Sequence, residues 1–341
     1  MNTYHHFSPE ERAVIMLLLA DNTSIRGIAK AIHRHPSSVS REITRNRKNK
    51  SVYCATVAAK RYRKRRKKSA RTTKITKGSR LYQQLQFWLT HNKWSPEQMS
   101  AMLKATYPSD LSMQVSPETI YAHIYAQPKG GLKKLMVQSL RRHKSKRGPR
   151  GSKDSRYGSV KISEEQLIAN RPEEINTRKI AGHWEGDLIV GPMNQSCVGT
   201  LVERKTGFLI LSKMKSKSAL DVREGFTENM KYLPDFLRGS MTYDRGSEMA
   251  EHPIMSKELE LDVYFADPHA PWQRGSNENI NGLIRQFLPK GHNLSSYSQN
   301  DLNYIAWLLN TRPRKRFGFQ TPQKMMETEL DGGLISVALD S

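Results

Sequence analysis

Three short acidic segments in the second half of the chain decide its fold. Residues 242–248 read TYDRGSE, residues 182–190 read GHWEGDLIV, and residues 271–279 read PWQRGSNEN. The segments hold the carboxylates Asp187, Asp244 and Glu278, each at the end of, or just after, a stretch typical of a separate structural element. Thirty-three residues lie between Asp244 and Glu278. The three acids are therefore candidates for one shared site.

The pattern around these acids predicts an α/β domain. Five segments have the character of strands: 183–190, 197–202, 208–213, 240–243 and 263–265. Four segments are helical: 218–231, 254–261, 277–288 and 299–310. Three strands followed by alternating helices and strands is the order expected of a ribonuclease-H-like domain with a mixed sheet. The order alone fits several α/β folds, and the positions of the acids narrow the choice.

Carboxylates at these positions suit divalent metal ions that act on a phosphodiester. Two cations about 3.5–4 Å apart can hold the attacking and leaving oxygens of an in-line phosphoryl displacement. Mg²⁺ prefers oxygen ligands and keeps much of its water, so a few carboxylates are sufficient. Asp187 would project from the first strand and Asp244 from the strand beside it. Glu278 would reach in from the first turn of a helix packed against both.

Other acids nearby compete for these roles. Residues two apart on a strand share a face, so Glu185 and Asp187 point to the same side, and the local pattern leaves the choice between them open. Glu248 and Glu251 are closer in sequence to Asp244 than Glu278 is. We expect those two to flank the site or face solvent.

The N-terminal residues predict a helix-turn-helix. Ser8, Pro9 and Glu11 form the capping pattern of a helix that ends near residue 20, and helices at 25–32 and 37–45 follow.

The third of these helices has one buried and one exposed face. Val39 and Ile43 share the buried stripe, and the opposite face carries Ser38, Arg41 and Arg45. In a helix-turn-helix that face enters a major groove, where arginines contact guanine edges or phosphates. The alternative is a small helical bundle with a solvated basic face.

A dense basic run follows. Residues 60–68 hold eight cations in nine positions, so the run is either a disordered arm or the exposed end of a helix beginning near Val57. Its natural use is phosphate contact by counterion release, although a merely solubilising role is the alternative. The cations predicted to contact DNA are Lys60, Arg61, Arg63, Lys64, Arg65 and Arg66.

A second helical unit and a linker come next. Residues 81–91 are amphipathic, and the Ser-Pro-Glu starts at Ser95 and Ser116 each begin a helix. The last two helices, joined by 107–115, fit either a second DNA-binding helix-turn-helix with a long turn or a structural unit. Residues 141–157 are rich in Lys, Arg, Gly and Ser and predict an extended basic linker.

Charge and cysteine content narrow the class of protein. The net charge is +24, and residues 1–160 hold 34 of the Lys and Arg against 8 of the Asp and Glu. Nucleic acid is the expected partner of so basic a half, and we expect no membrane partner. Cys54 and Cys197 are too few for a disulfide scaffold or a cysteine zinc site. We expect ordinary thiols, no secretory signal, and a cytoplasmic, nucleoid-associated bacterial protein.

Together these features resemble the DDE transposases of the insertion sequence 30 family. The matching features are the three acids, the Asp-Arg-Gly at Asp244, the Asn-Glu-Asn around Glu278, Arg285 two helical turns later, and residues 310–318, NTRPRKRFG. The resemblance covers nearly the whole chain. It implies that Asp187, rather than Glu185, is the acid of the first strand and that Arg285 contacts DNA near the cleaved phosphate.

The resemblance also implies an activity. The N-terminal half would bind the terminal inverted repeats of an insertion sequence. The three acids would bind two Mg²⁺, or Mn²⁺ in their place, for strand cleavage and for attack of the freed 3′-OH on double-stranded target DNA. The active form would be a homodimer or a higher oligomer. A DNA-binding regulator with an oligomerising C-terminal half, and a structure-specific nuclease of the same fold, are the alternatives.

We expect a multidomain chain, with all-α helix-turn-helix units before the α/β domain. The predicted parts are a helix-turn-helix domain at 1–50, a basic linker at 51–80, a second helical domain at 81–140, a basic linker at 141–174 and the ribonuclease-H-like domain at 175–341.

Overall fold

The computed structural model divides the chain into two compact units, Met1–Thr73 and Lys74–Ser341. It describes residues 5–47, 52–69, 73–128, 130–140, 162–268 and 270–339. Among these residues, no helix combines the length and the apolar character that crossing a bilayer requires. The basic linker predicted at 141–157 lies outside the described residues.

The first unit confirms the predicted helix-turn-helix. Its helices are α1 Pro9–Ala20, α2 Ile25–Ala31, α3 Pro36–Asn46 and α4 Ala55–Ser69. Helix α1 begins where the capping pattern places it, because Ser8 accepts the amide N–H of Glu11 and the Glu11 carboxylate accepts the amide N–H of Ser8. Val39 and Ile43 are buried on α3, as their spacing predicts.

Helix α4 lies within the range predicted as a basic linker. Its first half is part of the core, since Ala58 packs in one apolar cluster with Ile15, Ile28 and Val39. The cations follow in the second half of the same helix. Of the two interpretations of the basic run, the helical one is therefore confirmed, and the run belongs to the first unit.

A buried ion pair ties three helices of this unit together. The Nε of Arg12 on α1 lies 2.7 Å from Glu42 Oε1 on α3, and the two side chains are 3% and 9% exposed. The Arg12 guanidinium also lies 4.8 Å from the ring centre of Tyr62 on α4. The Tyr53 hydroxyl donates to the same oxygen of Glu42. Packing around this pair fixes α3 against its neighbours.

Four helices open the second unit: α5 Arg80–Thr90, α6 Pro96–Thr106, α7 Pro117–Ala126 and α8 Gly131–Ser139. The first three are confirmed, and α8 was not predicted from the sequence. Gln98 at the start of α6 fastens these helices to the C-terminal part of the chain, since its amide donates to Pro313 O and its carbonyl accepts from Arg312 Nε. Lys315 adds an ion pair with Glu97 at 2.6 Å.

The rest of the second unit is an α/β domain. Its strands are β1 His183–Val190, β2 Cys197–Glu203, β3 Leu209–Lys213, β4 Ser240–Tyr243 and β5 Asp262–Phe265. Its helices are α9 Glu173–Thr177, α10 Ala219–Met230, α11 His252–Leu259, α12 Gly275–Ile284, α13 Gln299–Asn310 and α14 Pro322–Leu339. Strands β1 and β4 and helix α13 have the predicted bounds. Helix α12 begins two residues before and ends four residues before the predicted 277–288, and α9 and α14 were not predicted.

The sheet has the order β3-β2-β1-β4-β5. Strand β2 pairs antiparallel with both β1 and β3, whereas β4 pairs parallel with both β1 and β5. Hairpins followed by a parallel part are the arrangement predicted for a ribonuclease-H-like domain, so this fold is confirmed.

The sheet is covered on both faces. One face packs Trp184 and Leu201 against α10, through Phe226 and its neighbours. The other face packs Ile189 and Val198 against α12 and α13. Because side chains alternate along a strand, Glu185 and Asp187 lie on the same face as Ile189, toward α12.

The segment before β1 also belongs to this domain. Ile162 packs against the core, and Leu167 forms an isolated parallel bridge with Phe265 at the edge strand. The part of the predicted 141–174 linker that the structure describes is therefore packed rather than extended.

We expect Glu42→Gln to destabilise the first unit by on the order of 3 kcal/mol, because Arg12 would keep a buried charge without its partner. Hydrogen exchange of the amides of α1–α4 in the full chain measures the change. Glu11→Gln is the matched control. Its pair with Arg34 is 22–28% exposed, and glutamine also suits the capping position, so a cost below about 1 kcal/mol is expected. Equal costs would contradict the role given to the Arg12–Glu42 pair.

Candidate active site and DNA-binding surface

Asp187, in the middle of β1, and Asp244, just after the carboxyl end of β4, lie side by side on two neighbouring parallel strands. The register pairs Glu185 of β1 with Thr242 of β4, so the residues two positions further along, Asp187 and Asp244, also lie side by side. Gly186 makes this approach possible, because a Cβ there would come within 2.6 Å of the Tyr243 ring. The structure thus brings together two of the three predicted acids.

Arg274 lies between the two aspartates. Its Nη2 is 3.0 Å from Asp244 Oδ2, and its Nη1 is 3.4 Å from Asp187 Oδ1. Nη1 also donates to Gly186 O at 3.2 Å. The guanidinium is therefore shared by the pair and by the strand that carries Asp187.

Asp187 has further contacts that orient it. Asn281 on α12 donates from Nδ2 to Asp187 Oδ2 at 2.7 Å, and the amide of Leu188 donates to Oδ1 at 2.9 Å. Burial raises the pKa of Asp187 above its ordinary value; Arg274 opposes the rise and the charge of Asp244 adds to it. Asp244 Oδ1, by contrast, is buried and has no hydrogen-bond partner.

Glu185, the competing acid on β1, is fully buried, and both of its carboxylate oxygens have partners. Its Oε1 lies 2.8 Å from Arg204 Nη1, and the two side chains are 0% and 5% exposed. Its Oε2 accepts the amide N–H of Asn277 in the first turn of α12 at 3.0 Å. This carboxylate therefore caps α12 from the sheet and leaves Asp187, 28% exposed, as the accessible acid of β1.

Glu278 lies in the first turn of α12, as predicted, but its side chain is exposed. Among the described residues, no hydrogen bond or ion pair joins it to Asp187 or Asp244. Nor does the described part of the chain contain three or more His, Cys, Asp or Glu side chains grouped closely enough to hold a metal ion. Glu278 stays a predicted member of the site.

The structure also describes the other acids and the arginine considered in this half. Glu251 pairs with Arg223 at 2.8 Å, and Glu248 is half-buried. Arg285 ends α12 and donates to Val190 O at 3.1 Å and Leu288 O at 3.4 Å. In this structure its guanidinium bonds backbone at the end of β1. The predicted contact with DNA stays a prediction.

Two of the three acids predicted to bind Mg²⁺ lie together here. Both aspartates offer oxygen ligands, and the buried Asp244 Oδ1 has no partner of its own. The Arg274 guanidinium also shows that a positive charge is accommodated between them.

The predicted DNA-reading face of the first unit lines a cleft of about 230 Å³. Ser38, Arg41 and Arg45 line it from α3, and Arg65 and Arg66 line it from α4. Arg41 and Arg45 are exposed. Two predicted sets of DNA-binding residues therefore form one surface.

The cations of α4 divide into two groups. Arg61 donates to Asn46 O, and both terminal nitrogens of Arg65 donate to Asn46 Oδ1, at 3.1 and 3.2 Å. These two arginines hold α4 against the end of α3. Lys60, Arg63, Lys64 and Arg66 are exposed.

The sequence interpretation missed the partners of the acids. Arg274 and Arg204 were not selected, because an arginine near a motif has no local signal that distinguishes a buried partner from a surface charge. A signal for Arg274 was present in its position four residues, about one helical turn, before Glu278.

A family model described as a helix-turn-helix domain matches residues 3–46. Among solved structures, the catalytic core domain of BIV integrase aligns with 45% of this chain and 98% of its own, at 18% identity and a TM-score of 0.35.

Two relatives match along almost the whole chain. The transposase for insertion sequence element IS1086 of Cupriavidus metallidurans is 42% identical over 323 residues, which cover 95% of this chain and 94% of that protein. The transposase InsI for insertion sequence element IS30A of Escherichia coli K12 is 39% identical over 326 residues, which cover 94% of this chain and 83% of that protein. With this identity along both lengths, the chain belongs to the insertion sequence 30 family of transposases.

Proposed function

We propose that this transposase binds the terminal inverted repeats of an insertion sequence and cuts and joins DNA strands at the Asp187–Asp244 site. The pairing of Asp187, within β1, with Asp244, just after β4, is the observation that carries the proposal. The strand cut would expose a 3′-OH, which then attacks a phosphate of the target DNA. A homodimer or higher oligomer would hold the two ends of the element.

Asp187, Asp244 and Glu278 would hold two Mg²⁺, with Mn²⁺ as a substitute. Ions bound there would activate the attacking oxygen and stabilise the charge that develops on the phosphate and the leaving oxygen. The protein's own part is to orient the ligands: Asn281 fixes Asp187, and Glu185 fixes the first turn of α12 from which Glu278 projects.

The first unit would supply the reading of DNA sequence. Arg41 and Arg45 would contact base edges from α3 in the major groove, with Ser38 beside them. The exposed cations of α4 would contact phosphates, and their contribution would fall as salt rises. Arg285 would contact DNA near the cleaved phosphate.

We expect Asp244→Asn to lower both strand cleavage and strand joining at least about 100-fold while DNA binding stays within about twofold of wild type. The substitution preserves shape and removes the negative charge. Cleavage and joining of a labelled DNA with the element's ends, in Mg²⁺, are measured together with binding in the same samples.

The same assay separates the alternatives. Wild-type protein that cuts but never joins would be a nuclease of this fold. Wild-type protein that binds and forms its oligomer, yet neither cuts nor joins, would be a regulator. If the Asp244→Asn variant cuts normally, Asp244 is not part of the active site.

The choice between Glu185 and Asp187 has its own test. We expect Asp187→Asn to lose activity with a melting temperature close to wild type, because the amide can still bond Asn281. Glu185→Gln should instead cost on the order of 3 kcal/mol of stability, since Arg204 would lose its buried partner. Thermal unfolding and strand cleavage of both variants decide the matter, and a stable but inactive Glu185→Gln would reverse the assignment.

Arg41 and Arg63 should differ in what they contribute to binding. Arg41→Ala should cost about 1–3 kcal/mol on the inverted repeat and relax the preference at particular base pairs. Arg63→Ala, from the exposed part of α4, should weaken binding equally on all sequences and reduce the salt slope by about 1. Fluorescence anisotropy with cognate and scrambled DNA over a salt series measures both. If the two variants lose binding in the same way, the division between base contacts from α3 and phosphate contacts from α4 is wrong.

A further inference from the structure

Some buried polar atoms at the paired aspartates have no partner. In the part of the chain that the structure describes, thirteen buried side-chain nitrogens and oxygens lack a hydrogen-bond partner. Three of them belong to side chains with contacts at the paired aspartates: Asp244 Oδ1, Arg274 Nε and Asn281 Oδ1. Buried polar atoms normally have partners, so these three leave hydrogen-bonding positions of the site unfilled.

Arg274 satisfies the aspartates only in part. A guanidinium can pair with one carboxylate through two parallel hydrogen bonds, which is its strongest arrangement. Here it gives one nitrogen to each aspartate, at 3.0 and 3.4 Å, and its Nε has no partner. Asp244 in turn uses one oxygen and leaves the other unpaired. The guanidinium therefore offsets the charges of the aspartates, but Arg274 Nε and Asp244 Oδ1 still lack hydrogen-bond partners.

The aspartates nevertheless need a cation between them. Two carboxylates that lie side by side repel each other. The three side chains are only 15–34% exposed, so water screens this repulsion incompletely. Arg274 therefore does for the metal-free protein what a bound metal ion would do.

We propose that Arg274 is the internal cation of this site: it holds Asp187 and Asp244 together until a divalent metal ion binds, and it leaves them when that ion arrives. The inference rests on the proposed metal site and adds that Arg274 competes with the metal. Arg274 thereby sets the metal concentration at which the site fills.

Contacts that do not involve Arg274 hold the rest of the site. Arg274 is the residue immediately before α12, at the end of a short 3-10 turn. Helix α12 itself is held by the bond from the Asn277 amide to Glu185, which does not involve Arg274. Asp187 likewise keeps its bond from Asn281. When the arginine leaves the aspartates it also loses its bond to Gly186 O, but these contacts of α12 and Asp187 do not depend on it.

The test is a Mn²⁺ titration of the full chain without DNA, followed by calorimetry and by thermal unfolding. Arg274→Gln should bind Mn²⁺ about tenfold more tightly than wild type, since one charge-assisted contact to each aspartate no longer competes. Its melting temperature in EDTA should fall, and the rise in melting temperature on adding Mn²⁺ should be larger than for wild type.

Arg245→Gln is the matched control. Arg245 is the neighbour of Asp244 in the chain, but its guanidinium pairs with Asp267 at 3.1 Å and donates to Ala266 O. Its loss removes the same charge from the region without removing a contact to either aspartate. We expect its Mn²⁺ affinity to change by less than about twofold. An equal gain in both variants would mean that general electrostatics, rather than competition, sets the affinity, and would overturn the inference.

Asp244→Asn separates this inference from the proposed function. If Asp244→Asn loses Mn²⁺ binding while Arg274→Gln binds no more tightly than wild type, the metal site stands and the role of Arg274 is wrong. If Asp244→Asn binds Mn²⁺ like wild type, the metal site itself is wrong. Should circular dichroism show Arg274→Gln unfolded, Arg274→Lys replaces it. Lysine keeps the charge but cannot reach both aspartates with a fork, so tighter binding than wild type supports the inference and unchanged binding overturns it.

Discussion

The catalytic half depends on one buried carboxylate, Glu185. One oxygen pairs with Arg204 at the end of the β2 hairpin, and the other accepts an amide of the first turn of α12. A fully buried charge is tolerated only with partners of this kind, so the pair and the helix start are fixed together. Through α12 this carboxylate holds Asn281, which bonds Asp187. A residue that we assign no part in the chemistry thus helps to orient one of the predicted metal ligands.

Much of the fold could be predicted where local chemistry is sufficient. Helix α1 begins at Ser8 because its cap uses only residues within one turn, and β1, β4 and α13 follow from apolar periodicity and from the residues at their ends. The choice between Glu185 and Asp187 could not be made from the residues, because both lie on one face of β1. Glu185 differs from Asp187 in its contacts with Arg204, nineteen residues away in the chain, and with Asn277, ninety-two residues away. Neither contact can be predicted from the local sequence.

Basic residues have more than one role in this protein, and composition alone does not show which role each residue has. The run at 60–68 looks uniform in sequence, yet Arg61 and Arg65 hold Asn46 while their neighbours face solvent. Arg12 is buried beneath the same helix, and Arg274 lies between two aspartates. An excess of cations therefore predicted a nucleic-acid partner, but the individual contacts depend on which side of each helix packs against the protein.

Gln98 gives the second unit a mechanical property. Its side chain bonds both Pro313 O and Arg312 Nε, and Lys315 pairs with Glu97 beside it. These contacts join helices α5–α8 to the ribonuclease-H-like domain. They therefore fix the distance between the two parts of the unit. If α5–α8 grip a DNA duplex, the span from that grip to the paired aspartates is set by the protein. The number of base pairs between the two points would then be a constant of the molecule, independent of the sequence between them.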